Sequence, residues 1–396
     1  MKKFHKLFFL LFFYILVLIN PFITKESLAK NEKLTIWMGS MNIENQNFSR
    51  EVIGQMFRPA IKTELRKRGE TMDLGETPWR YIDLLPDIIV FACQECKPNK
   101  FLEFPADTLK KRKFLGKYYR KVTSQKTFGI TKIKGGLSSI YVGVLAKKSI
   151  FKKIKRLKYV TSRRKLKLKG AVLVKVSINN RPYAFGSVHL DASSEKKREA
   201  DIREIYNVLK EAGFPKTVLL MGDFNYRLIK DELDPLKNTA EHLIEVLSKG
   251  NSSLSLLKKR DSLAILLNKN TNKSFSRWGF EIPEYTVPTL PTYKKVYKSK
   301  TDKAICKSLD RFPKNKDLIR GCYFKKGNPK EKSCLKGKCI DFGWLDRLAT
   351  FGVASPSLIG GTPKSEKKYL KLIDYGGAQK ASLGDHGAIW ATFESF

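Results

Sequence analysis

The chain has 396 residues, of which 42% are hydrophobic and 29% are charged, a balance typical of a globular protein with a substantial core. No internal repeat and no long Pro/Gly/Ser linker divides it, which argues against a repeat architecture and allows one large domain or two ordinary ones. The net charge of +39 attracts anions such as nucleic acid, anionic lipid or phosphorylated small molecules, but it does not choose among them.

The N-terminal segment has the pattern of a signal peptide. Basic residues precede an unbroken apolar run, Leu7–Ile19, and a small-residue cleavage site follows at Ser27–Ala29. The run is shorter than the about 20 apolar residues that a membrane span needs, which favours a cleaved signal peptide. An uncleaved membrane anchor is the alternative. We predict a signal peptide over residues 1–29 and a single catalytic domain over 30–396, exported to the periplasm or secreted.

Short apolar runs and longer helical patterns alternate irregularly along the rest of the chain, which predicts a mixed α and β fold. The predicted buried strands are Leu34–Met38, Ile88–Ala92, Ile140–Leu145, Ala171–Ile178, Tyr183–Leu190, Val218–Met221 and Ala388–Phe393. The predicted helices are Phe48–Arg68, Ser193–Ala212 and Thr239–Ser248.

Polar motifs follow several of these strands, where short loops commonly assemble an active site on a rigid sheet. In Gly222-Asp223-Phe224-Asn225, a carboxylate and a carboxamide two residues apart would share a face of an extended segment. Such a pair can activate water and donate to a phosphoryl oxygen, whereas an Asx-rich turn is the alternative interpretation. Other candidate polar residues near the predicted strands are Asn42, Glu95, His189, Asp346, Asp385 and His386.

The order of these motifs resembles the endonuclease/exonuclease/phosphatase superfamily, and finer boxes resemble the inositol polyphosphate 5-phosphatases. The boxes are Lys169–Val172, Gly222–Arg227, Asp261–Leu263, Gly279–Glu281, Pro291–Lys294 and Trp344–Leu348. The resemblance implies an α+β fold, a four-layer αββα sandwich with two packed mixed β-sheets flanked by helices. The sequence departs from the family at Leu345, where the family has cysteine. It also departs at Gly387-Ala388, where the family has a basic residue followed by a proline.

The resemblance also implies one catalytic Mg²⁺ ion. Glu95 would bind it, with Asn42 nearby and Asp385 assisting through water. Such a sparse set suits Mg²⁺, which keeps several of its waters when it binds to proteins.

The same resemblance assigns the catalytic roles. Asp223 would position and deprotonate the attacking water, and Asn225 would donate to the phosphoryl group. His189 and His386, the latter held by Asp346, would bind or protonate phosphate oxygens, since a carboxylate partner orients an imidazole and favours its charged form.

Substrate binding is predicted for Tyr226, Arg227, Tyr293, Lys294 and Arg347. The first four match family positions that grip the phosphate beside the scissile one, and for Asp346-Arg347 a structural ion pair is the alternative. The implied substrate is the 5-phosphate of phosphoinositides or inositol polyphosphates. We expect the protein to be a monomer and to act at an anionic membrane surface. A DNase-like secreted nuclease acting on nucleic acid and a sphingomyelinase-type phosphodiesterase are the alternatives.

Export permits disulfides, and the chain has six cysteines. Four of them lie in a Lys-rich insertion over residues 298–340, where we expect local disulfides rather than zinc because no Cys-x2-Cys pair occurs there. Cys93 and Cys96 flank Gln94-Glu95. A redox pair is one interpretation, but a catalytic glutamate between the cysteines favours packing, or pairing elsewhere.

Overall fold

The computed structural model describes most of the strands and helices of the chain. The described residues are 33–43, 50–73, 76, 78–96, 119–122, 140–163, 169–213, 217–229, 259–268, 280, 282, 293–297, 323–325, 340–343, 345–354, 370–383 and 386–395. The predicted signal peptide, the predicted helix Thr239–Ser248, Asp385 and most of the insertion over 298–340 lie outside them.

Strands dominate the described part of the chain. The strands are β1 (Thr35–Asn42), β2 (Ile88–Gln94), β3 (Tyr119–Lys121), β4 (Tyr141–Lys147), β5 (Ile154–Arg163), β6 (Gly170–Ile178), β7 (Arg181–His189), β8 (Thr217–Asp223), β9 (Tyr293–Tyr297), β10 (Tyr323–Lys325), β11 (Ile340–Gly343), β12 (Asp346–Phe351), β13 (Val353–Ala354), β14 (Leu370–Leu383) and β15 (His386–Ser395). The helices are α1 (Arg50–Lys67), a 3-10 helix (Pro78–Leu84), α2 (Lys148–Phe151), α3 (Glu195–Glu211) and α4 (Ser262–Asn268). All seven predicted strands and two of the three predicted helices are therefore present.

The described strands form two mixed sheets. In the larger sheet, β1 is parallel to β2 and antiparallel to β15, and its main order is β10-β9-β15-β1-β2-β4-β3. The smaller sheet has the order β12-β8-β7-β6-β5, with β7 parallel to β8. Strand β10, inside the insertion, pairs with β9 and so extends the edge of the larger sheet.

The two sheets pack face to face, because their central strands are apolar on both faces. Met38 and Val90 of the larger sheet share one buried cluster with Phe185 and Met221 of the smaller sheet. Near-continuous apolar runs are what a sheet covered on both faces requires.

Helices cover the outer face of each sheet. From α1, Phe57 packs against Trp37 of the larger sheet, with ring centroids 4.4 Å apart. From α3, Ile205 and Leu209 enter the cluster behind the smaller sheet, and Ser194 caps the helix by accepting from the amide of Lys197. These layers confirm the predicted αββα sandwich. None of the helices in the described ranges is both long enough and apolar enough to cross a membrane.

A buried polar contact joins the two sheets near their carboxyl edge. The Nε2 atom of Gln94 donates to Ser187 Oγ of the other sheet at 2.8 Å and to Ser40 Oγ of its own sheet at 3.2 Å. Ser187 Oγ in turn donates to the carbonyl of Cys93 at 3.2 Å. Because buried polar groups need partners, this contact favours one relative placement of the two strand edges.

Gly222 is required where β8 passes this contact. Its φ is +154°, and a Cβ atom built there would collide with the carbonyl oxygen of Val188 and lie 2.7 Å from Gln94 Nε2. A side chain at this position would therefore push β8 away from both β7 and the larger sheet.

We predict that Gly222→Ala destabilises the fold more than Gly69→Ala. Gly69 also has a positive φ, +74°, but no atom lies within 4 Å of its built Cβ. Gly69→Ala should cost only the about 1–2 kcal/mol of a left-handed residue, whereas overpacking adds about 1–3 kcal/mol at Gly222. Denaturant unfolding of the two variants measures the difference, and equal losses would show that the contact at Gly222 is unimportant.

Candidate active site

Strand register brings polar residues of both sheets to one edge of the sandwich. In the larger sheet Asn42, the last residue of β1, lies opposite Gln94, the last residue of the parallel strand β2, and Glu95 follows directly. In the smaller sheet His189 lies opposite Asp223 at the carboxyl ends of β7 and β8.

Two antiparallel strands deliver further residues to the same edge, because their amino ends lie beside the carboxyl ends of their neighbours. Asp346, the first residue of β12, lies opposite Asp223. His386 begins β15, which runs antiparallel to β1.

Asp223 lies at the centre of the resulting cluster. Its Oδ2 atom accepts from Asn42 Nδ2 at 3.2 Å. The same oxygen is 3.3 Å from His189 Nε2 and 4.0 Å from His386 Nε2. One carboxylate oxygen therefore meets side chains from β1, β7 and β15, which come from both sheets.

His386 is held by Asp346. Its Nδ1 atom is 2.8 Å from Asp346 Oδ2, and both side chains are buried. A hydrogen bond from Nδ1 to the carboxylate fixes the ring so that Nε2 faces Asp223. This is the contact that the family resemblance implied for the pair.

Asn225 adopts a different local geometry from the extended segment that the sequence suggested. Its φ is +57°, and its backbone amide donates to Asp223 Oδ1 at 2.9 Å, which is the Asx turn held as the alternative. Its side-chain Nδ2 donates to the carbonyl of Leu190 at 2.9 Å. In this conformation Asn225 therefore helps to fix the loop after β8.

Lys169 belongs to the cluster, although it was not among the predicted site residues. Its Nζ atom contacts His189 Nε2. Glu95 Oε1 lies 3.8 Å from His189 Nε2. The signal was present in the Lys169–Val172 box, because Gly170 pairs in register with His189 and so places the preceding lysine beside that imidazole.

The cluster shifts the acidity of its members. Burial alone would raise the pKa of Asp223, but the hydrogen bond and charge of His189, with His386 and Lys169 nearby, lower this pKa well below its usual range. Burial, and then the charge of Lys169, lowers the pKa of His189. Burial also lowers the pKa of Lys169, although the surrounding carboxylates partly oppose this. Asp223 is therefore held ionised.

The oxygen ligands expected for Mg²⁺ lie side by side at this edge. The Glu95 side chain is 27% exposed, so a cation bound to it could keep several waters. Asn42 donates its Nδ2 to Asp223, and its amide oxygen is of the ligand type that Mg²⁺ prefers. Among the described residues no group of three or more His, Cys, Asp or Glu side chains is placed to hold a metal ion. One carboxylate, Glu95, and one amide, Asn42, are the kind of sparse oxygen donor set that Mg²⁺ takes when it keeps several of its waters.

The structure corrects two predicted substrate contacts, because Tyr226 and Arg347 are both 0% exposed. Tyr226 packs in the cluster behind the smaller sheet, where the guanidinium of Arg198 lies 4.6 Å from its ring centroid. Arg347 lies next to Asp346 on β12, but its Nη2 donates to Asp261 at 2.6 Å. Arg347 therefore forms a buried ion pair, but its partner is Asp261 and not Asp346.

The remaining predicted substrate residues are near the site or have only their backbone described. Arg227 is half-buried just beyond the Asx turn. Tyr293 and Lys294 begin β9, and Tyr293 pairs in register with His386, so this segment borders the cluster.

Cys93 and Cys96 form a disulfide with each other, which corrects the expectation that they pack separately or pair elsewhere. Both are fully buried on the side of the larger sheet that α1 covers. The bridge encloses Gln94 and Glu95 in a short covalent ring. Glu95 itself has a φ of +55°, which is uncommon for a residue with a side chain.

Comparison of folds finds similar solved structures at low sequence identity. The inositol polyphosphate 5-phosphatase domain of SPsynaptojanin, solved in complex with inositol (1,4)-bisphosphate and calcium ion, has a TM-score of 0.56 at 19% identity, covering 92% of this chain and 84% of that chain. A Cimex nitrophorin, solved as a ferrous NO complex, has a TM-score of 0.51 at 15% identity, covering 92% of this chain and 98% of that chain. Both likenesses establish the fold alone.

Comparison by sequence identifies the family. A search of curated proteins found no match. The family model described as Endonuclease/Exonuclease/phosphatase family 2 matches residues 39–326, which is well over half of the chain and contains most of the site residues. The chain therefore belongs to the endonuclease/exonuclease/phosphatase family 2.

Proposed function

We propose that this chain is an exported, Mg²⁺-dependent hydrolase that removes phosphate from a phosphomonoester. Its substrate is the 5-phosphate of phosphoinositides or inositol polyphosphates. The observation that carries the proposal is the convergence of Glu95, Asp223, His189 and His386 from both sheets on one edge. The similarity of fold to a 5-phosphatase domain solved with inositol (1,4)-bisphosphate supports this choice.

Glu95 and Asn42 would hold the Mg²⁺, with Asp385 assisting through water. When bound, the ion neutralises charge on the phosphoryl oxygens and on the departing oxygen. Glu95 supplies a full negative charge and Asn42 a neutral oxygen, so these two ligands leave net positive charge for the phosphate.

Asp223 would orient the attacking water and take its proton. A carboxylate with a strongly lowered pKa is a weak base, because proton transfer is most efficient when the pKa lies near the working pH. A phosphate dianion bound next to Asp223 raises this pKa by charge repulsion. The carboxylate would therefore gain basicity when substrate is present, and Asn42 Nδ2 keeps it aimed meanwhile.

The two imidazoles and Lys169 would bind the phosphoryl oxygens. His386, with Nδ1 bonded to Asp346, would in its protonated form donate from Nε2 to phosphate or to the leaving oxygen. Lys169 adds a cation beside His189, and an anion bound there favours the charged form of both. The positive groups thus lie where negative charge develops in an in-line hydrolysis.

Substrate choice would depend on cations around this edge. Arg227 and Lys294, with Tyr293, are proposed to grip the phosphate beside the scissile one, since arginine offers a bidentate fork and lysine a point charge. The net charge of +39 suits a monomer that works at an anionic membrane surface.

A DNase-like secreted nuclease is the second candidate. The net charge of +39 favours a polyanionic substrate equally well. The burial of Tyr226 also removes one contact that favoured an inositide ring.

A substrate panel tests the proposal. We expect the mature protein to release inorganic phosphate from 5-phosphorylated inositides with Mg²⁺, and a chelator to abolish this release. Plasmid nicking and choline phosphate release from sphingomyelin should stay at background under the same conditions. Nicking without phosphate release would favour the nuclease, and choline phosphate would favour a sphingomyelinase-type phosphodiesterase.

We predict that Asp223→Asn lowers kcat for phosphate release by about 10²–10⁴-fold, the usual contribution of a positioned general base. The matched control is Asp87→Asn. Asp87 also accepts hydrogen bonds from Thr35, at 2.9 Å from its amide, but lies at the amino end of β2. Steady-state kinetics of both variants, with circular dichroism to verify folding, checks the prediction. Similar activity in the two variants would remove Asp223 from the mechanism.

We predict that the pKa of His189 lies below 6.5 in the metal-free protein and rises in Lys169→Met, because the lysine charge lowers it. A depressed histidine pKa makes protonation costlier in the folded state, so its contribution to stability is present above pH 6.5 and falls as the pH drops below it. Proton NMR titration of the histidines measures the shift. Lys175→Met is the control, since Lys175 Nζ bonds to the carbonyl of Ala212 at 2.8 Å. An unchanged His189 pKa in Lys169→Met would contradict the prediction.

A further inference from the structure

The Cys93–Cys96 disulfide surrounds the residue proposed to bind the metal ion. Cys93 lies within β2, and Cys96 lies two residues beyond the end of that strand. The bridge spans three positions of sequence, so Gln94 and Glu95 are the two residues inside the ring. Both cysteines are completely buried, which anchors each end of the ring in the core.

Glu95 is held in a conformation that it would not choose by itself. Its φ of +55° lies in the left-handed region, where residues with a Cβ atom persist only when their surroundings over-determine them. On one side Gln94 is fixed by its side-chain bonds to Ser187 and Ser40 and by its carbonyl, which accepts from the amide of Ile43 at 3.1 Å. On the other side the disulfide is the covalent restraint.

The direction of the Glu95 side chain depends on this backbone conformation. With φ positive, the carboxylate leaves the line of β2 and reaches the His189 imidazole of the other sheet, at 3.8 Å from Nε2. If the backbone relaxed to the common region, the side chain would point elsewhere and the carboxylate would leave the cluster.

We propose that the Cys93–Cys96 disulfide is a positioning element for cation binding, which holds Glu95 ready to ligate a divalent ion. This inference rests on the proposed function, because it takes Glu95 as the metal-binding carboxylate. Preorganisation of this kind strengthens binding, because the ordering cost is met before the ligand arrives. Groups that orient a metal ligand typically change metal affinity by about 10–100-fold when they are removed.

The bridge also makes the site dependent on an oxidising compartment, in keeping with the predicted export. A water-soluble phosphine opens it chemically. Phosphorus attacks one sulfur, the S–S bond breaks, and two thiols form on Cys93 and Cys96. Water supplies the oxygen of the phosphine oxide and the two protons of the thiols, so the reaction balances.

The test is Mn²⁺ binding followed by electron paramagnetic resonance on the mature protein, before and after reduction by the phosphine and its removal without air. We expect reduction to weaken Mn²⁺ binding about 10–100-fold. The double variant Cys93→Ala/Cys96→Ala should bind as weakly as the reduced wild type, and reduction should not change it further. This variant keeps the four insertion cysteines, so it controls for their reduction.

A second comparison separates positioning from a general loss of structure. In Glu95→Gln, reduction should leave the residual Mn²⁺ affinity unchanged, because the positioned carboxylate is already absent. Circular dichroism and thiol counting establish that the reduced wild type is folded and opened. Equal Mn²⁺ affinity in the oxidised and reduced wild type would overturn the inference alone. Absence of Mn²⁺ binding in the oxidised wild type would overturn the proposed metal site as well.

Discussion

The buried charge of Asp223 is the constraint on which this site depends. A carboxylate taken out of water is costly unless other groups donate to it or offset its charge. Here Asn42 and two imidazoles approach one of its oxygens, and they come from both sheets. The need to satisfy Asp223 therefore draws the strand ends together, and the same groups are those that a phosphoryl group would need.

A buried polar contact between the two sheets fixes how the strand ends at the site lie relative to each other. Gln94 links Ser40 and Ser187 across the two sheets, and Gly222 lets the strands approach closely enough for that link. The Cys93–Cys96 ring then encloses Glu95, whose direction we propose that it sets. Each of these structural restraints therefore lies close in sequence to a residue of the site, as Gln94 does to Glu95 and Gly222 does to Asp223.

The fold was largely predictable from the hydrophobic pattern. Strands of a sheet that is covered on both faces have continuous apolar runs, and helices that cover such sheets, such as α1 and α3, are amphipathic. The central site residues were predictable as strand-end motifs. Side-chain direction was not, because the positive φ of Asn225 breaks the alternation that places Tyr226 and Arg227. Arg347 was misassigned because its partner, Asp261, is distant in sequence. The Cys93–Cys96 pairing could not be chosen from six cysteines, since spacing alone leaves many connectivities.

The central claim is that side chains of both sheets gather around one phosphoryl group and its metal ion. A crystal structure of the mature protein with Mn²⁺ and orthovanadate tests it most directly, because anomalous scattering locates the ion independently. The account predicts Mn²⁺ bound to Glu95, with vanadate in contact with His189, His386 and the water-orienting Asp223. An ion bound away from Glu95, or vanadate that contacts only one sheet, would contradict it.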